Sequence, residues 1–336
     1  MKKINYLTVL MVLVVCMGIF QACCKKEENA KSPSVEVKEW EEKIEYMAIP
    51  CVDFSRIKKE ANIFRGGEPM LQFESWEHYA SVIDAMLEFS YSYIDARVQQ
   101  VRAENPGIND DDLSLILHNE NVYQFMPLYS FCQQLQFDNS AFKKLRTEEI
   151  QWMKAPQAAN RSNPFDEAEM GYIQSALHNV DGEVMIANEI FNPSIPEPAR
   201  ACRTCDGTNL QIKHGAWPTV YYNGKTRQIR GFLNSHTTHS YAKTSVYYMS
   251  GNTPIVWLCK VRVKVWGKHL KNCGDPSWFT YTDEFDSGNI GVFASVVEKY
   301  QWHITGARYL YPDPSVGLVF SKHWVEGIAN VWQLSL

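Results

Sequence analysis

The sequence predicts an α+β chain: a mainly helical region over residues 35–192, then a β-rich region over residues 193–336 built as an antiparallel sandwich or a strongly curved sheet. Three observations predict this. In "SWEHYASVIDAMLEF", Trp76, Tyr79, Val82, Ile83, Met86 and Leu87 recur at spacings of three and four, the period of an amphipathic helix. In "CKVRVKVW", Cys259, Val261, Val263 and Val265 alternate with Lys260, Arg262 and Lys264, the period of a strand with one wet face. Between these stretches, "FNPSIPEPAR" carries three prolines and reads as a boundary or an extended linker.

Within the helical region, "MLQFES" (70–75) reads as a short strand running into Ser75, a cap for the next helix. A second helix is expected from Tyr91 to Arg102, stopped by "ENPG". A third starts at Asn109 with Asp110, Asp111 and Asp112 in its first turn, where the helix dipole favours acids. The triple aspartate lacks the alternating ligand spacing and glycine of a calcium loop. Further helices are expected over 121–136, 140–154 and 164–177, the last with Asn163 at its cap and Pro164 in its first turn. Asp181-Gly182 then makes a tight turn into a strand over 183–191.

In the β-rich region, Asn223-Gly224 signals a two-residue hairpin turn, and Ser250-Gly251-Asn252 separates two long strands. "SWFTYTDEF", "NIGVFASVVEKYQWHIT" and "VGLVFSKHW" supply more strands. Asp283, Glu284 and Asp286 in "YTDEFDSG" read as a solvated turn.

Ahead of both regions, Lys2 and Lys3 precede an almost wholly apolar run from Ile4 to Phe20, so residues 1–22 read as a secretory signal. The run is short for a spanning helix. Phe20-Gln21-Ala22-Cys23 resembles the lipobox of bacterial lipoproteins, which implies acylation of Cys23 and anchoring to a membrane through its acyl chains. Lys25-Lys26-Glu27-Glu28 resembles the charged export signal of Bacteroidota lipoproteins. That resemblance implies the outer face of the outer membrane, with the periplasmic face as the alternative. Residues 23–34 are too rich in Lys, Glu, Asn, Ser and Pro to order themselves and read as a flexible tether. Residues 1–22 hold two lysines and no acid, so residues 23–336 carry 31 basic against 38 acidic residues, a formal charge of −7. That balance disfavours nucleic acid as a partner.

The helical pattern leading into "NVDGEVMIANEIF", followed by hairpins of the "SVYYMSGNTPIVWLCKVRVKVWG" kind, resembles uncharacterised lipoproteins of gut Bacteroidota that carry a domain of unknown function. The resemblance implies habitat and architecture and no catalytic residues.

Seven cysteines remain besides Cys16 and Cys23. Export favours disulfides, and Cys202–Cys205 and Cys259–Cys273 are the first pairings to consider. A zinc site is the competing reading: Cys202-x2-Cys205 with His214, or His269-x3-Cys273, supplies nitrogen and sulfur ligands, but a second CxxC at ribbon distance is missing. Redox activity would need the CxxC at a helix N-terminus in a thioredoxin-like setting, which this β-rich neighbourhood does not offer. His236 and His239, in "NSHTTHSY", read as surface loop histidines, because residues three apart on extended backbone face opposite sides. No HExxH, GxSxG, P-loop or GxGxxG pattern occurs, and no catalytic residue or cofactor is assigned.

Aromatic residues make up 13% of the chain, and seven of the ten tryptophans come after residue 200. Most suit a core. Trp217, Trp266, Trp278 and Tyr281 fall near turns or on the polar side of alternating strands, where exposed rings stack on sugars or anchor protein partners. The expected role is a non-enzymatic, membrane-tethered module for a glycan or protein ligand. The alternatives are an extracytoplasmic hydrolase using carboxylates or a Cys/His-bound metal, and a structural envelope protein.

Overall fold

Ser75 accepts a hydrogen bond from the His78 N–H and caps helix α1, Trp76–Glu104, whose buried face matches the predicted apolar positions. The computed structural model describes residues 43–60, 68–155, 161–194, 211–216, 220–222, 225–236, 238–269, 283–302, 319–325, 327–328 and 331–336. Helix α1 is continuous where the sequence suggested two helices, because Ile94, Val98 and Val101 carry its buried stripe past Tyr91. Asn109 caps α2, Asp110–Asn119, through the Asp112 N–H. Helix α3 spans Met126–Gln134, shorter than expected because Asn121 sits at φ 55° and breaks the first turns. Ser140 caps α4, Ala141–Lys154. The helix expected over 164–177 is two short ones, α5 (Pro164–Glu167) and α6 (Tyr172–Leu177), parted at Glu169 with φ 55° and at Gly171.

The described strands form three sheets. The first joins β1 (Lys58–Glu60), β2 (Met70–Phe73), β3 (Val184–Ile186) and β4 (Glu189–Phe191), with β2 and β3 parallel and the other pairs antiparallel. The single strand expected over 183–191 is a hairpin, turning at Ala187 and Asn188, which take φ 50° and 66°. The second sheet has six strands. Its path runs β12 (Val296–Trp302), β8 (His239–Ser250), β7 (Lys225–Ser235) and β5 (Gln211–Ala216), with β6 (Val220–Tyr222) beside β7 and β9 (Thr253–Val256) beside β8. Tyr222 pairs with Lys225 and Ser250 with Thr253, so both expected hairpins close with two-residue turns. The third sheet orders β11 (Asp283–Ala294), β10 (Cys259–His269), β13 (Val319–Val325) and β14 (Trp332–Ser335), all antiparallel. Asp283, Glu284 and Asp286 thus lie on strand backbone and not in a turn.

The β-rich stretch is neither one sandwich nor one curved sheet. One face of the six-stranded sheet (Ile229, Leu233, Ala242, Val246, Val297) shares an apolar core with Val261, Val263, Val265, Val319 and Val325 of the third sheet. Its other face is covered by the helices, and Phe232, Tyr241, Val296 and Tyr300 join the cluster built on Tyr79, Ile83, Phe131, Tyr172 and Leu177. The layers therefore run from helices to six-stranded sheet to four-stranded sheet. Residues Glu39–Leu336 form one compact unit, with core contributions from both sides of residue 193. Ser295 is where the chain passes from the third sheet to the second. There the Gln124 side chain accepts from the Ser295 N–H and donates to the Val296 carbonyl, pinning the crossing backbone. Among the described residues, no helix is long and apolar enough to cross a membrane.

Candidate functional site

The outer face of the four-stranded sheet combines aromatic rings and cations in register. Alternation along β10 and β13 turns Val261, Val263, Val265, Ser321 and His323 inward, which leaves Lys260, Arg262, Lys264, Trp266, Phe320, Lys322 and Trp324 on the other face. Pairing then stacks this face in rows: Trp266 opposite Phe320, Lys264 opposite Lys322, and Arg262 opposite Trp324. Trp266 and Phe320 are both half-buried, their ring centroids 5.4 Å apart and their planes 14° from parallel. The ammoniums of Lys264 and Lys322 lie 5.6 and 5.5 Å from the Trp266 ring centroid, within cation–π range. On the neighbouring strand, Gly291 pairs with Arg262, and a Cβ there would come within 3.1 Å of the Arg262 Cγ. The missing side chain is what lets the arginine stem lie across β11. Of this face, the sequence singled out Trp266 but not Phe320, Lys322 or Trp324. The alternation in "VFSKHWV" carries that signal, once the strand is known to lie beside β10.

The other site residues expected from sequence fall elsewhere. Cys23, Cys202, Cys205, Cys273, Trp217, Trp278 and Tyr281 lie outside the described residues, and for His214 only its place in β5 is described. Cys259 is buried in the core between the two sheets as a free cysteine, with burial pushing its thiol up to about 12. Among the described residues, no group of three or more His, Cys, Asp or Glu side chains could hold a metal ion. The aspartates that open α2 are engaged by protein groups: Asp110 pairs with Arg102 at 2.6 Å, Asp111 with Arg227 at 2.7 Å, and Asp112 accepts from Asn109.

Between the helices and the six-stranded sheet lies a buried polar layer that sequence reasoning missed. Glu149 of α4 is fully buried and pairs with Arg146, while Asn163, Tyr172 and Tyr247 also donate to its carboxylate. Glu298 of β12 accepts from the Tyr172 N–H at 2.6 Å and the Ile173 N–H at 3.3 Å, both at the start of α6, and from Tyr241 at 3.2 Å. Burial raises the Glu298 carboxyl, against the pull of Lys243 and of these donors. Asp166 pairs with Lys243 at 2.7 Å. Burial and the adjacent carboxylates raise the Tyr172, Tyr241 and Tyr247 hydroxyls well above the ordinary tyrosine value. With their acceptor positions occupied inside a closed layer, these carboxylates hold helices to sheet.

His236 and His239 are buried rather than on a surface loop. They sit at the β7–β8 turn, where the His236 N–H donates to the His239 carbonyl, and their rings stack at 4.8 Å. The tight turn overrides the strand rule that would set them on opposite sides. His178 lies nearby in the same aromatic group around Phe191, bonded to the Tyr79 hydroxyl at 2.7 Å and the Gly182 carbonyl at 2.8 Å. Burial lowers His178 to about 4 and His236 to about 3.

No family model matches the chain, and no curated protein matches it. Among solved structures, a crystal structure of a DUF4848 family protein from Bacteroides thetaiotaomicron is similar to this chain at 12% identity and a TM-score of 0.19. The match covers 80% of this chain and 97% of that one.

Proposed function

We propose that the chain is a lipoprotein anchored through acyl chains on Cys23, displayed on the outer face of the outer membrane. In this reading it acts as a non-enzymatic binding module, with a glycan as ligand and the outer face of the four-stranded sheet as its site. The half-exposed Trp266–Phe320 pair is the observation that carries the proposal, since parallel rings on a solvent-facing sheet offer apolar faces and edges to the C–H surface of a sugar. The four- and six-stranded sheets around their common core form the sandwich on which this face is carried. Cys202 and Cys205 close as a disulfide in the oxidising compartment that the anchor implies.

A glycan array probed with residues 36–336 tests the site. Binding that falls at least about tenfold on Trp266→Ala is the expected result. A silent array counts against the sugar ligand and leaves a protein ligand in its place. Metabolic labelling with a palmitate analogue, present in the native chain and lost on Cys23→Ser, tests the anchor.

A further inference from the structure

Resting on the reading of this sheet face as a glycan site, we infer that its ligand is an acidic glycan whose anionic substituent sits between Lys264 and Lys322. Like charges directly opposite one another on neighbouring strands destabilise a sheet. Here they stand in register at the centre of the face, between the Trp266/Phe320 row and the Arg262/Trp324 row. A pairing that works against local stability, on a solvent-facing strand where many residues would serve, marks a place where function outweighs packing. An anion between the two ammoniums relieves it, and the geometry admits one. Both ammoniums lie at nearly equal distance from the Trp266 ring, 5.6 and 5.5 Å, so one anion can approach both while the attached sugar ring reaches the aromatic pair. Arg262, one row further along, extends the cationic side of the site, and Lys260 lies beyond it on the same strand. These cations are gathered on a chain whose formal charge is −5 over all residues, so the face is locally opposite in sign to the whole. Carboxylate and sulfate share the required chemistry: a compact anion carried on a ring with a C–H face.

The test uses the full-length chain in non-ionic detergent and titrates matched pairs by calorimetry: an oligogalacturonate against its methyl ester, and a sulfated oligosaccharide against its desulfated form. The charged member of at least one pair is expected to bind about tenfold tighter or better, and which pair responds identifies the anion. Raising sodium chloride from about 0.05 to about 0.5 M should largely erase the difference, because exposed charges are screened. Lys264→Gln with Lys322→Gln should abolish the discrimination and keep the weaker binding to the neutral sugars, whereas Trp266→Ala should weaken both. Lys322 is exposed, and neutralising it removes a like-charge pair, so the double variant should melt no lower than the parent. Equal binding of charged and neutral sugars overturns the acidic-ligand inference while leaving the glycan reading intact. If no sugar of either kind binds, the glycan reading falls, and this inference with it. A polyglutamate peptide that binds as tightly as the acidic sugars also overturns the inference, because the face then recognises charge alone.

Discussion

At residue scale, Gly171 shows how closely the buried polar layer is packed. A Cβ at this position would meet the Tyr300 hydroxyl, the Tyr241 hydroxyl at 2.7 Å and Glu298 Oε1 at 3.0 Å. Gly171→Ala should therefore force apart the groups that hold Glu298 against the start of α6, at a cost of about 1–3 kcal/mol. Urea denaturation reads this as a lower midpoint with an unchanged slope. Adding Tyr300→Phe removes the nearest obstructing oxygen and should recover part of the loss, whereas an equal loss in the double variant would place the strain elsewhere. Glu149 is equally committed, with Arg146, Asn163, Tyr172 and Tyr247 all directed at one carboxylate. Removing one partner of such a group leaves a desolvated charge uncompensated, which is the strongly destabilising outcome.

At the scale of elements, the β3–β4 turn holds a correctable strain. Ala187 adopts φ 50°, a conformation that costs an L-residue with a Cβ roughly 1–2 kcal/mol and glycine little. Ala187→Gly should raise the melting temperature by a few degrees, and a lower value would show that the alanine methyl contributes more than its backbone costs. The elements that could be read from sequence were those with local causes. Ser75, Asn109, Ser140 and Asn163 each cap the helix expected of them, and the valine alternation of β10 marks its buried face. The missed breaks, at Asn121, Glu169 and the Ala187-Asn188 turn, depend on left-handed backbone at residues other than glycine, which composition does not announce. The candidate site was half legible for a related reason. Trp266 stands on the polar side of an alternating strand, but its partners Phe320 and Lys322 are some fifty positions later and meet it only through the β10–β13 register. The His236–His239 stack, and the acids that the helices press onto β8 and β12, depend likewise on tertiary placement.

At the scale of the molecule, burial of neutral imidazoles sets a pH limit. His178, His236 and His323 have folded-state values lowered by burial to about 4, 3 and 3, below the ordinary 6.5 they regain on unfolding. The unfolded chain binds protons first, so the stability these groups contribute is fully present above about pH 6.5 and is lost as pH falls toward 4 and then 3. Each imidazole removes up to about 1.4 kcal/mol per pH unit across that window. Melting temperature should therefore drop steeply from pH 6.5 to 4, and a flat profile would show that these rings are already charged in the fold. His323→Gln is the informative variant. His323 is held between Ser321 at 2.6 Å and Thr244 at 2.9 Å, and its replacement by a non-titrating amide should make the acid slope shallower.

The way one core draws on both ends of the chain bears on how the protein can be taken apart. Phe232, Tyr241 and Tyr300 come from the β-rich stretch, yet they complete the cluster formed by α1, α3 and α6. The parallel pairing of β2 with β3 likewise joins segments more than a hundred positions apart. A fragment beginning at residue 193 would carry the glycan face while exposing to water the apolar and ionic surface that the helices cover, and its complement would lack the floor on which those helices rest. Neither piece is a portable module. Grafting the recognition face onto another scaffold would require moving nearly the whole chain, and a nonsense mutation anywhere before β12 would forfeit the helical layer together with the sheet it leaves incomplete.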